Sequence, residues 1–253
     1  MENMDLTGIP EEAARIVTPA AEYLARRIGR RIESFNVIGS CLTGDFVPGS
    51  SDVNTAIVVN AIDPGILDEL ATMGGSITSR RLPPPVLLTR DYIARSVDSF
   101  PVEFLDMALF HKVILGDDVL EEIRIERPPL RLQCERDLKA KLVNLARGYI
   151  VSRGDAKLVW DLLMQALPGY FPLLRAVLFL VTGEPRPPAH KDDVLTRVED
   201  ALRVSMSGLR DALKLKSGQG RPNRDRARLM SIFHSVYRTT HELSETMDTL
   251  CLD

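Results

Sequence analysis

Short runs of β-branched residues are confined to the first half of this 253-residue chain, and long helical patterns take over in the second. That asymmetry limits the fold more than any other feature. I-E-S-F-N-V-I-G-S (32–40) alternates apolar and polar positions and ends in a small-residue turn, and T-A-I-V-V-N (55–60) is a second strand-like run. P-P-P-V-L-L-T-R (83–90) predicts a third strand after a stiff proline lead. P-V-E-F-L-D-M-A-L-F (101–110) reads as a further strand, with Val102 and Phe104 on one side of the pleat and Glu103 and Leu105 on the other.

Helices are expected between these runs. Ile16, Ala20, Leu24 and Ile28 recur every fourth residue on one face of a helix that Pro19 is expected to kink and that stops near Gly29. P-G-I-L-D-E-L-A-T-M-G-G predicts a second helix, and Asp91 to Val97 a short third one. Beyond Glu126 to Pro129, Leu138, Leu142, Leu145 and Tyr149 give a strong amphipathic repeat. Further helices are predicted over 156–167, 171–181, 190–204 and 224–249. The reading is an α/β domain over 1–126 followed by an all-helical bundle over 127–253.

A net charge of -3 and pI near 5.9 argue against a protein built to coat nucleic acid. Cys41, Cys134 and Cys251 lie far apart without C-x-x-C spacing, so no disulfide framework or zinc site is indicated and a reducing cytoplasm is the expected setting. The start of the chain lacks the basic and apolar pattern of a secretory signal. The apolar stretch around 171–181 contains Arg175 and is too short to span a bilayer, so it reads as a buried core helix.

Chemistry is concentrated in V-I-G-S-C-L-T-G-D-F-V-P-G-S-S-D-V-N (37–54). Gly39 and Ser40 end a strand where backbone N–H groups and a hydroxyl can approach a phosphate. Pro48-Gly49-Ser50-Ser51 turns the chain so that positions 52 and 54 face the same way on the neighbouring strand. Oxygen ligands so placed can share a magnesium ion with substrate phosphates. Glu103, a charge within an apolar run, is the candidate third ligand or general base, with Asp106 as a nearby competitor.

Gly39-Ser40 followed by Asp52-Val53-Asn54 resembles the motif of the nucleotidyltransferases of the DNA polymerase beta superfamily: glycine and serine, a loop, an acid, any residue, a second acid. The helical half is similar to that of aminoglycoside adenylyltransferase-like proteins. The resemblance implies a nucleotidyltransferase-like fold binding ATP or another nucleoside triphosphate. It also implies transfer of a nucleoside monophosphate to a hydroxyl of a small molecule or protein. Gly39, Ser40 and Asn54 would seat the nucleotide; Asp52, Asn54 and Glu103 would hold Mg2+; Asp52 and Glu103 would be catalytic. Asn54 stands where the second acid is expected. That loss of charge lowers magnesium affinity and makes a nucleotide-binding or regulatory protein that keeps the fold the alternative reading.

Other polar features have simpler readings. Asp45 is a solvated loop acid. His111, His190, His234 and His241 form no close metal-ligand pair. Arg221, Arg224, Arg226 and Arg228 read as a solvated basic run. Glu135 with Lys139 and Asp137 with Lys141 are expected to pair along one helix. Trp160, Phe171 and Phe179 belong to the bundle core. Self-association, or pairing with a partner protein through the helical half, is a further expectation.

Overall fold

The computed structural model describes residues 4–76, 81–219 and 225–250. The chain divides into two compact units, Met1–Asp98 with Glu103–Ile125, and Ser99–Val102 with Glu126–Asp253.

In the first unit the β-branched runs form strands β1 (Ile32–Ile38), β2 (Asn54–Val59) and β3 (Val86–Leu88), joined by a fourth, β4 (His111–Gly116). The sheet order is β3-β2-β1-β4, with β1 antiparallel to β2 and β4, and β3 parallel to β2. Helix α1 (Glu11–Ile28) continues through Pro19 and buries Val17, Ala20, Leu24 and Ile28 in a cluster with Phe35, Val37, Val53 and Ile57 from one sheet face. Helix α2 (Pro64–Ser76) adds Ile66 to that cluster. The opposite face holds a smaller cluster in which Val58 and Leu88 meet Ile93 of α3 (Arg90–Ser96) and Phe104 of α4 (Pro101–Leu109).

Helix α4 corrects the strand expected over 101–110. Phe104 and Leu105 are both buried and Glu103 is exposed, a pattern no half-buried strand produces. Pro101 starts the helix, where its missing N–H costs nothing. The Val102 amide donates to Gln133 Oε1 at 2.9 Å, so a side chain satisfies one of the free donors of that first turn. The strand lies one element later, at His111–Gly116.

The second unit is helical throughout its described residues: α5 (Arg127–Ser152), α6 (Ala156–Ala166), α7 (Tyr170–Thr182), α8 (Lys191–Leu202), α9 (Ser207–Lys214) and α10 (Arg226–Thr249). Helix α9 falls between the predicted helices, although it is amphipathic and buries Leu209 and Ala212 on one face. Helix α5 packs on α6, α7 and α10, and Leu138, Leu145, Leu174, Val177 and Leu243 are fully or almost fully buried in the bundle. Tyr170 has no exposed surface; its hydroxyl and that of Thr240 are 2.5 Å apart, and burial pushes the phenol up to about 12. Among the described residues no single helix is long and apolar enough to cross a membrane.

Of the two ion pairs expected on α5, Glu135 with Lys139 forms at 2.6 Å. Asp137 instead accepts from Arg136 and Gln133, while Lys141 Nζ lies 4.5 Å from the Tyr170 ring centre, and burial lowers its pKa.

Candidate functional site

Strand β1 ends at Ile38, whose Cα pairs with Asn54 on one side and His111 on the other, so these three residues share one face of the sheet. Val53 is fully buried in the cluster on the other face. Alternation along the extended chain therefore turns Asp52 and Asn54 away from the core, and both are exposed.

Directly after Ile38 the chain enters a short 3-10 turn, Gly39–Leu42. Gly39 has φ +76°, a conformation open to glycine at no steric cost, and its N–H donates to Phe110 O at 3.1 Å. The space a side chain would take at Gly39 is bordered by the Asn54 amide, 3.7 Å from that point. Strand pairing thus brings the two ends of the motif together, Gly39-Ser40 and Asp52-Asn54, across a loop of eleven residues.

The side chains of Ser40, Asp52 and Asn54 have no hydrogen-bond or ion-pair partner among the described residues. The loop acid Asp45 differs, since it accepts from the Thr43 hydroxyl at 2.8 Å. Cys41, in the same turn, is buried and its thiol is pushed up to about 11 by desolvation, so it is not a nucleophile at neutral pH.

The intervening loop is tied down by groups distant in sequence. Glu12, in the first turn of α1, accepts from the Gly49 amide at 3.1 Å and pairs with Arg81, while the Val53 amide donates to Arg81 O at 2.8 Å. Within the loop, Ser51 Oγ accepts from the Val47 amide at 2.9 Å. Arg81 and Gly49 together hold the Glu12 carboxyl below its usual range. Because its folded pKa is depressed, Glu12 contributes order that is present above the ordinary glutamate pKa and lost as pH falls through the lower folded value. Glu12→Gln at neutral pH is expected to speed amide exchange of Gly49 and Ser51 several-fold, as read by hydrogen–deuterium exchange, with Phe35 and Ile57 unchanged.

The structure does not place Glu103 on a strand beside β2. It lies in the first turn of α4, exposed. On the side of β2 away from β1 the neighbouring strand is V-L-L, and Val86, opposite Ala56, is exposed at 43%. Asp106 is half-buried on α4. Among the described residues no three His, Cys, Asp or Glu side chains are grouped to hold a metal ion. Asp52 and Asn54 bring one carboxylate and one neutral amide, which suits a magnesium ion delivered on a triphosphate but not a resident ion caged by protein.

His111, set aside in the sequence reading, sits at this end of the sheet. Its Nε2 is 2.7 Å from Asp118 Oδ1, and its Nδ1 is 2.9 Å from Met107 O and 3.1 Å from Ala108 O. It braces β4 against the end of α4. The sequence carries no signal for this, because His111 meets these partners only once 101–109 folds as a helix and 111–116 as the strand beside β1. Arg226 and Arg228 are exposed at the start of α10; Arg221, Arg224 and Cys251 lie outside the described residues.

No known protein family's profile matches the chain, and no curated protein matches it. Among solved structures it is similar to the spectinomycin adenyltransferase AAD(9) from Enterococcus faecialis, solved with ATP and spectinomycin. The TM-score is 0.48 and the identity 11%, over 93% of this chain and 99% of that one.

Proposed function

We propose that this protein is a nucleotidyltransferase that binds a magnesium–nucleoside triphosphate complex, with ATP as the expected nucleotide, at the Gly39–Ser40 turn. The observation that carries the reading is that strand pairing sets Asn54, two residues after the exposed Asp52, beside the positive-φ Gly39 that precedes Ser40, with the Asn54 amide 3.7 Å from where a Gly39 side chain would stand. Polar groups left without protein partners at an open strand end are available to a ligand. A glycine turn there lets the ligand approach the backbone.

In this reading the Ser40 hydroxyl and the backbone N–H groups of the turn after Gly39, whose own N–H is taken by Phe110 O, bind phosphate oxygens. Asp52 and Asn54 would hold a magnesium ion bound with the triphosphate, which would offset charge on the phosphates. An acceptor hydroxyl attacks the α-phosphorus. A bond forms from acceptor oxygen to phosphorus, the bond from that phosphorus to the β-bridging oxygen breaks, and pyrophosphate leaves. The hydroxyl proton passes to a base, for which Glu103 is the proposed residue.

The alternative, nucleotide binding with little turnover, is favoured by two specific observations: the neutral Asn54 and the helical, exposed setting of Glu103. One substitution separates the readings. Calorimetry with Mg-ATP measures binding, and release of pyrophosphate measures turnover. Asn54→Asp restores a second carboxylate and is expected to tighten Mg-ATP binding about tenfold. Increased turnover in that variant supports the transferase, and tighter binding without turnover supports the binding protein. Absence of Mg-ATP binding at millimolar concentration in both forms removes the reading altogether.

A further inference from the structure

A concavity lies within the first unit, with its Arg90 rim at the end of the sheet opposite the Gly39 turn. Arg90, which opens α3, is bonded to Glu33 at 2.7 Å, and Glu33 stands at the start of β1, whereas Gly39 follows its end. Six residue steps lie between Glu33 and Gly39, roughly 20 Å at the usual rise per residue. None of Gly39, Ser40, Asp52 and Asn54 lines the concavity, so the two places are distinct.

The concavity measures about 300 Å³, within the lower range of small-ligand sites. Its apolar surface comes from Ile93 and Ala94 on α3, from Val97 just after it, and from Val119 and Ile123 in the segment after β4. Ile93 and Val119 are buried, which makes them a floor; Ala94, Glu122 and Arg124 are exposed, which makes them a rim.

The charges on that rim are of both signs. Arg90 is already engaged, by Glu33 and by Glu122 Oε2 at 2.8 Å, with Asp117 at 3.9 Å. Arg124 is different. Its Nη1 donates to Glu121 O at 2.7 Å and Ile123 O at 3.1 Å, and it has no carboxylate partner among the described residues. Its Nε and Nη2 donors remain for a carboxylate, in the fork geometry that guanidinium provides. On the same rim Glu122 uses one carboxylate oxygen for Arg90 and leaves the other. Glu33, Asp117, Glu121 and Glu122 around this end disfavour a ligand of net negative charge, so a simple anion is a poor match to Arg124. A zwitterion satisfies both signs.

We infer that this cavity is a binding site for an apolar α-amino acid. The ligand carboxylate sits on Arg124, its ammonium faces Glu122, and its side chain lies on Ile93, Val97 and Val119. This goes beyond the proposed nucleotide site and does not depend on it.

L-leucine is the probe, added to the full chain with methyl-labelled isoleucine and valine and followed by NMR. Saturable shifts are expected at Ile93, Val97, Val119 and Ile123, with Ile57, on the opposite sheet face, unmoved. 4-Methylpentanoate, which lacks the ammonium, and isoamylamine, which lacks the carboxylate, are each expected to bind about tenfold more weakly. Arg124→Gln should bring leucine down to the level of isoamylamine, and Glu122→Gln to that of 4-methylpentanoate. Ala94→Trp, at an exposed rim position, should fill the cavity and abolish the shifts while the Ile57 signal reports an intact fold. The inference is overturned if leucine leaves the four residues unmoved, if either analogue binds as tightly as leucine, or if Ala94→Trp binds leucine unchanged.

Discussion

Gly116→Ala is expected to destabilise the first unit by about 3 kcal/mol or more, a large share of the net stability of a small domain. Gly116 ends β4 with φ +83°, a left-handed conformation that already disfavours a side chain. A methyl group there would stand 2.2 Å from Glu33 O and 2.9 Å from the Glu33 carbonyl carbon, on backbone that cannot swing aside. Relief requires β1 and β4 to separate where the Asp117 amide donates to Glu33 O at 2.8 Å and the Ser34 hydroxyl donates to Asp117 O at 2.5 Å. Chemical denaturation followed by circular dichroism measures the loss. Gly8→Ala, in the same unit, is the control: it shares a positive φ of 82° but has nothing within 4 Å of the added atom, so its cost is confined to backbone strain, about 1 kcal/mol. Equal losses in the two variants would show that the close approach to Glu33 contributes nothing.

Asp52→Asn is expected to lower pyrophosphate release by about two to three orders of magnitude, the usual consequence of removing a charge aligned with a reacting phosphate. Its effect on folding should be negligible, because Asp52 is exposed and its side chain makes no hydrogen bond or ion pair among the described residues. The measurement pairs a turnover assay with a thermal melt. Unchanged turnover would remove Asp52 from the site and with it the assignment of the motif. Ser40→Ala provides a milder companion: loss of one phosphate donor should weaken Mg-ATP about tenfold.

Much of this architecture is legible in the residue pattern. β1 and β2 alternate, or run apolar, over short lengths bounded by turn residues, and β-branched side chains leave few other conformations for them. The repeat of Leu138, Leu142, Leu145 and Tyr149 commits α5 to a helix in the same way. Segment 101–110 fails that test because a short apolar run with one acid suits either periodicity. Its fate rests on Pro101 at a helix start and on Gln133, 31 positions away, accepting from its first turn. Moving that one element relocated Glu103, uncovered β4 and carried His111 to the end of the sheet.

The site divides along the same line. Gly39, Ser40, Asp52 and Asn54 lie within sixteen residues, and the strand–turn–strand pattern around them is local information, so their convergence follows from pairing two adjacent strands. The Glu12 clamp on Gly49 and Arg81, the joining of Arg90 to Glu33, and the cavity between α3 and the segment after β4 involve partners tens of residues apart. No periodicity encodes such contacts. They arise when hydrophobic burial brings whole elements together, and the polar groups then take whichever partners the packed backbone leaves within reach.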